Sequence, residues 1–423
     1  MAHARHYITD PARSGRTEPF GQASLSVIKS TSTGPVLWRF FRRLTGQTFS
    51  QPAHFHLVVS MASNPEIDAK MTSTQLAGLG QGWGVHGHGW ALNLLAQAAQ
   101  AGPQSMGPRH AYLFLGPSQV GKTTLARMFA QSLLCTGEGE RPCGQCRSCR
   151  LMGHGGTQGG HPDFRLIQPV DSSGEVDRAN GILRVEQAET IIHEATLRPM
   201  EGRYKVFLIQ EMQSANASFS NKLLKTLEEP AAHVILLVTA TERSLLLPTI
   251  VSRCQVLDLR PVAVGTVEQA LINTWQADAQ QARLLARLSN GRMGWAVQRL
   301  QDADMWTQRQ EMVAQVMQLA GADRVERLAF AADLAANRDN QRLFDLLALW
   351  ISWWRDVMLA QAGSPESCSN IDHLTELQAL ARSLSAQAVQ TYLHTLERIE
   401  KYLHHTTNTR LALDVLALRM PRA

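Results

Sequence analysis

The 423-residue chain carries 41 Lys and Arg against 36 Asp and Glu, a net charge of +5, with 44% hydrophobic and 18% charged residues. Those shares describe a folded globular protein of two or three domains and exclude a disordered chain. No apolar run approaches the roughly eighteen residues of a membrane span, and so mild a charge is no argument for nucleic acid. Six cysteines, four of them clustered, suit a reducing compartment and a metal site, and so a cytoplasmic protein without a membrane partner.

Residues 1–70 are rich in Ser, Thr, Arg and Pro and hold only short apolar pieces such as Val36-Leu-Trp-Arg-Phe-Phe41. Met1–Asp10 lacks the apolar core of a signal peptide. Two readings stay open for this stretch: a disordered arm, or an upstream extension of the reading frame with the start at Met71. Regular patterning begins near Gly84. Trp90–Ala96 reads as helix, Ala111–Leu115 as buried strand and Thr123–Leu134 as helix. Further strands are expected at Asp163–Ile167, Val206–Ile209 and Val234–Val238. Short, continuously apolar strands between helices indicate a parallel sheet covered on both faces. The rest is helical: Leu343, Leu347, Trp350, Trp354 and Val357 share one face, as do Val389, Leu393, Leu396, Ile399 and Leu403. The expected plan is an α/β P-loop unit over 71–261, a helical lid over 262–306 and a larger helical domain over 307–423.

Gly116-Pro-Ser-Gln-Val-Gly-Lys-Thr123 fits the phosphate-loop pattern between a strand and a helix. Gly116 and Gly121 would let backbone N–H groups turn inward around phosphate oxygens. Lys122 would bring a charge to the β and γ phosphates, Thr123 a hydroxyl to Mg²⁺, and Thr124 continues the cradle onto the helix N-terminus. Magnesium at such a loop normally has help from an Asp at the end of a neighbouring strand. The strand Val206–Ile209 is present, but it leads into Gln210 and only then into Glu211. A neutral amide cannot replace that charge. Glu211 could polarise a water, but a base without a well-held metal accomplishes little. The alternative is that Gln210 holds the ion through water.

Cys135, Cys143, Cys146 and Cys149 form C-x₇-C-x₂-C-x₂-C, which suits a closed tetrahedral Zn²⁺ site within a module at 135–149. His154 reads as a loop histidine and Cys254 and Cys368 as ordinary buried thiols. Asn221–Pro230 reads as an amphipathic helix stopped by proline, and Arg253 taken alone as a solvated surface arginine.

Taken together, the phosphate loop, the inserted four-cysteine module, Leu223-Leu-Lys-Thr-Leu-Glu-Glu-Pro230 and Ser252-Arg253-Cys254 resemble the clamp-loader branch of the AAA+ ATPases. The resemblance runs from Gly84 to the end. Within that branch, four features resemble the delta prime kind of bacterial DNA polymerase III subunit more than the gamma/tau motor kind. They are His161-Pro-Asp-Phe164, Gln210, Gly294 where a motor carries a sensing arginine, and Asn408–Leu416. The resemblance implies a zinc-containing AAA+ module, a lid and a collar domain that joins motor (gamma/tau) and delta subunits in a hetero-pentamer. It implies a part in loading the sliding clamp onto primed DNA within a nucleotidyltransferase holoenzyme. Arg253 would be an arginine finger reaching in trans into a neighbour's ATP site. Thr241, or else Thr239, would sense the γ-phosphate. ATP with Mg²⁺ is then a candidate cofactor and Zn²⁺ a structural one, and the chain itself a weak or inactive ATPase. The rival readings are an active gamma/tau-type motor, and a zinc-bearing nucleic-acid-binding protein whose phosphate loop is vestigial.

Overall fold

The computed structural model describes residues 83–100, 107–153, 160–178, 180–302, 304–336, 340–403 and 408–422. Residues 1–70 and His154 lie outside these, so the readings placed there are neither supported nor opposed.

In the first part, helix α1 (Gly89–Gln100) precedes strand β1 (Ala111–Leu115), and the phosphate loop then leads into α2 (Lys122–Leu134). A short α3 (Arg147–Met152) closes the cysteine segment before β2 (Phe164–Ile167), α4 (Val185–Thr196) and β3 (Lys205–Ile209). Next come α5 (Ala217–Glu228), β4 (Val234–Ala240), α6 (Pro248–Val251) and β5 (Gln255–Asp258). The strands pair in parallel in the order β2-β3-β4-β1-β5, with Leu113 opposite Val238 on one side and Val256 on the other. Strands β1, β3 and β4 are buried along their whole length, which is why they are largely apolar, with Lys205 and Thr239 the buried polar exceptions in β3 and β4. One core packs α1 and α2 against one sheet face through Leu95, Leu125, Phe129, Phe114 and Leu208. The other face meets α4 and α5 through Ile191, Phe219, Leu223, Phe207 and Leu236.

Two adjustments to the expected strands have simple causes. Asp163 lies before β2 rather than in it, because its carboxylate is committed elsewhere: it accepts N–H groups of Met200, Glu201 and Gly202 at 2.6, 2.8 and 2.9 Å. Strand β5 was not expected. It is a four-residue edge strand with only Leu257 fully buried, so it carries neither a long apolar run nor a clean alternation.

Helices α7 (Val264–Trp275), α8 (Ala279–Leu288) and α9 (Met293–Gln301) share a small core of Val267, Leu271, Leu285 and Ala296. Helices α10 (Met305–Gly321), α11 (Arg324–Ala336), α12 (Asn340–Gln361), α13 (Leu374–Ser383), α14 (Ala386–Leu403) and α15 (Thr409–Arg419) follow. They surround a separate core centred on Trp350, Trp353 and Trp354, each at most 2% exposed. Truncating any of these indoles would cost about 3–5 kcal/mol. Among the described residues no helix is long and apolar enough to cross a membrane.

Candidate nucleotide site and cysteine cluster

Strand β1 lies between β4 and β5, so the sheet order reverses beside its C-terminal end, where α/β sheets open a crevice for ligands. The phosphate loop occupies that end. Gly116 has φ +140°, and a Cβ there would stand 2.2 Å from the Leu259 carbonyl oxygen, so only glycine fits. Lys122 is 9% exposed, and its ammonium donates to the Gly116 and Pro117 carbonyls at 2.7 Å each. Burial pushes this amine down to about 8, with Glu211 pulling it partly back. Thr123 and Thr124 lie in the first turn of α2, beside the loop.

A cavity of about 310 Å³ adjoins the loop, lined among others by Val85, His86, Val120, Thr124, Trp275 and Gly294. His86 and Trp275 meet with ring centroids 5.3 Å apart and planes tilted by 57°, placing two aromatic rings at the cavity wall. Helix α9 comes very close here. Gly294 N–H donates to the Gln119 carbonyl at 2.8 Å, and the Gln119 amide donates to Gln298 at 2.8 Å. A Cβ at residue 294 would sit 3.0 Å from that Gln119 oxygen, tighter than most such contacts, so glycine eases the approach.

Gln210 follows β3 and is 4% exposed. Its amide lies 3.0 Å from that of Gln168, the residue after β2. In the opposite orientation of the Gln168 amide its oxygen accepts from Arg178 Nη2 and Nε at 2.8 and 3.1 Å, and Gln210 must then turn its own nitrogen toward that oxygen. Glu211 has φ +54°, a left-handed conformation that is uncommon outside glycine, and its N–H donates to the buried Thr239 hydroxyl at 3.1 Å. Burial raises the Glu211 carboxyl, while the charges of Arg178 and Lys122 pull it down. Thr241 stands just past β4, where its N–H meets Gln213 at 3.3 Å. Of the two threonines, Thr239 holds the backbone beside Gln210, and Thr241 sits at the strand exit.

Arg253 follows α6. It donates to the Thr249 carbonyl at 2.9 Å and pairs with Glu228, at the end of α5, at 2.7 Å. Its side chain remains 33% exposed. Nothing in the sequence marked Gln168 or Arg178 as relevant, and they come from a segment with no motif of its own. Gln119 lies in the phosphate loop and Glu228 in the Leu223–Pro230 motif, but only the fold pairs them with Gly294 and Arg253.

The four cysteines converge without help from the rest of the chain. Cys135 caps the C-terminus of α2 and Cys146 the N-terminus of α3. Their sulfur ligand atoms all lie within 4.8 Å of one another, and Cys135 and Cys146 are 3.9 Å apart. Four thiolates at about 2.3 Å from a tetrahedral zinc would be about 3.8 Å apart. Backbone N–H groups already point at the sulfurs: Cys143 to Cys135 at 3.4 Å, Cys146 to Cys143 at 3.3 Å and Cys149 to Cys146 at 3.4 Å. The N–H of Cys146 lowers the Cys143 thiol. Burial acts the other way on Cys146, but the N–H groups of Cys149 and Thr136 outweigh it and bring that thiol to about 6. Burial keeps Cys135 and Cys149 high. The set can hold a metal ion. Cys368 is buried, and Cys254 is half-buried against the sheet core.

The family description "DNA polymerase III, delta subunit" matches residues 91–263, and "DNA polymerase III, delta subunit, C terminal" matches 303–421. The chain is 32% identical over 252 residues to DNA polymerase III subunit delta' of Pseudomonas aeruginosa, covering 58% of this chain and 70% of that one. It is 27% identical over 316 residues to subunit delta' of Bacillus subtilis, covering 74% of this chain and 90% of that one. It is 29% identical over 332 residues to subunit tau of Escherichia coli, of which it spans 49%. A parallel P-loop sheet, a four-cysteine cluster beside it, a Gln after β3 and a helical C-terminal part thus come with matches at both ends. The chain belongs to the delta prime family of DNA polymerase III clamp-loader subunits.

Proposed function

We propose that the chain helps load the sliding clamp onto primed DNA by completing a neighbouring motor subunit's ATP site with Arg253. In this reading it turns over little or no ATP itself. The observation that carries it is Gln210: a buried neutral amide, engaged with Gln168, stands where hydrolysis calls for a magnesium-binding carboxylate. The phosphate loop and the cavity beside Trp275 support retention of nucleotide through Gly116, Gly121, Lys122, Thr123 and Thr124. Zn²⁺ is the ion proposed for Cys135, Cys143, Cys146 and Cys149, since four converging thiolates leave no open coordination position. The helices beyond Met305 would form the collar that meets the gamma/tau and delta subunits.

Arg253 suits export to a neighbour because its present bonds are weak ones. An exposed pair such as Arg253 with Glu228 is worth about 0–1 kcal/mol, far less than a guanidinium gains against a transferring phosphoryl group. A gamma/tau-type motor is the second reading, and the complete phosphate loop is what favours it.

Steady-state ATP hydrolysis separates the two. The purified chain is expected to hydrolyse negligibly. In the reassembled loader, Arg253→Ala should slow the served site by about 10³-fold. Robust hydrolysis by the lone chain, abolished by Lys122→Ala, would make it a motor. Unchanged turnover by the Arg253→Ala loader would remove the finger.

A further inference from the structure

The residues beside the phosphate loop do not fit a divalent metal. Magnesium asks for near-octahedral oxygen ligands, commonly one or two carboxylates with waters and phosphates. Gln210 brings no charge, and its amide faces that of Gln168. Directly behind that pair stands a cation. Arg178 is carried on the segment between β2 and α4, where Val170 bridges both Val176 and Ile182. The Asp177 N–H donates to Pro169 and the Gly181 N–H to Asp177, each at 3.1 Å. A Cβ at residue 181 would lie 2.2 Å from the Asp177 oxygen, so the turn presenting Arg178 is tightly closed. The guanidinium meets the Gln168 amide through two nitrogens, at 2.8 and 3.1 Å.

Glu211 feels both Arg178 and Lys122, so two cations flank one carboxylate at the end of the sheet where a triphosphate would lie. A dication brought there would meet repulsion from both. A metal-free triphosphate carries more negative charge than its magnesium complex, and it would answer that excess. A guanidinium also presents a planar fork of donors that matches phosphate oxygens.

We propose that Arg178 stands in for the divalent metal, so that this chain takes nucleoside triphosphate without magnesium, held between Lys122 and Arg178. The proposal rests on the reading that the phosphate loop holds nucleotide. It accounts for how a phosphate loop can be kept while the metal site beside it is lost: binding and hydrolysis are uncoupled by exchanging a movable ion for a fixed side chain.

The test is binding of a fluorescent ATP analogue to the full chain, followed by anisotropy with and without magnesium. Magnesium is omitted rather than chelated, so that the cysteine cluster keeps its ion. Equal affinity in both buffers is expected, within about twofold. Arg178→Ala should weaken magnesium-free binding by about tenfold or more, with Arg178→Lys between the two. Arg178 is exposed on its turn, so these variants should fold, and their melting curves check that. Binding that requires magnesium and ignores Arg178→Ala overturns the proposal and leaves the nucleotide reading standing. Absence of binding in either buffer removes both.

Discussion

The cysteine cluster and the end of strand β3 are two places where this fold could hold an ion, and they differ in where their ligands come from. The cluster takes all four sulfurs from a fifteen-residue segment, spanning 135–149, and orients them with N–H groups of the same segment. The sheet end depends on β2, β3, β4, the phosphate loop and the turn at Arg178, and Gln210 stands there where a carboxylate would serve a metal. A local site is complete or absent as a unit. A distributed site can lose one ligand and keep the rest for other uses, which here means a phosphate cradle without a metal carboxylate.

The sharpest way to break that comparison is to remove the ion from the local site. Without metal, burial keeps the Cys135 and Cys149 thiols protonated with raised pKa values, and nothing but weak sulfur contacts holds the four sulfurs within 4.8 Å. Chelation, or Cys143→Ser, should cost several kcal/mol and lower the melting of the P-loop part by roughly 10 °C, seen by calorimetry with zinc assayed in parallel. An unchanged melting curve would mean that the cluster is not a structural metal centre.

The same contrast explains what could be read before the structure was known. The cysteines were legible because their geometry is local, and spacing alone nearly fixes it. The phosphate loop was legible for the same reason, as were β1, β3 and β4, whose complete burial asks for apolar residues at nearly every position. Gln210 was visible as a missing charge, but what replaced that charge was not. Arg178 lies 32 residues from Gln210 in an exposed turn with no motif, and only strand pairing between β2 and β3 brings Gln168 and Gln210 together. Strand β5 escaped notice because an edge strand held on one side needs few apolar residues. The contact of Gly294 with Gln119 was foreshadowed only as an absent arginine. That helix α9 bonds directly to the phosphate loop at this position is a property of the packing.

Acidity sharpens the comparison on the nucleotide side. Burial holds the free Lys122 amine at about 8, below its ordinary 10.5, and a bound triphosphate requires it protonated. Affinity should therefore be full below about pH 8 and fall by about tenfold per pH unit above it. Stability of the chain alone should move the opposite way. Its unfolded state binds more protons between pH 8 and 10.5, so the Lys122 contribution rises across that window. Fluorescence titrations and melting at matched pH check the two trends together. If both fall in parallel, general unfolding rather than Lys122 governs the binding.

The smallest effect concerns the residue that links this chain's site to a neighbour's. Glu228 ends the helix α5 and holds Arg253, whose other bond goes to the Thr249 carbonyl. If Glu228 only shields a surface charge, Glu228→Ala should leave the assembled loader untouched. If it aims the guanidinium, the variant should slow ATP turnover, though by no more than about fivefold, because an exposed pair contributes at most about 1 kcal/mol. Glu228→Gln retains a hydrogen-bond acceptor for Arg253 and should restore most of the rate, whereas a charge effect would leave Gln no better than Ala. Rising salt should erase the difference between Glu and Gln while sparing the difference between Gln and Ala, since screening acts on the charge and not on the hydrogen bond. A loss as large as that of Arg253→Ala would instead place Glu228 in the finger itself, as the group that keeps Arg253 extended from the end of its short helix.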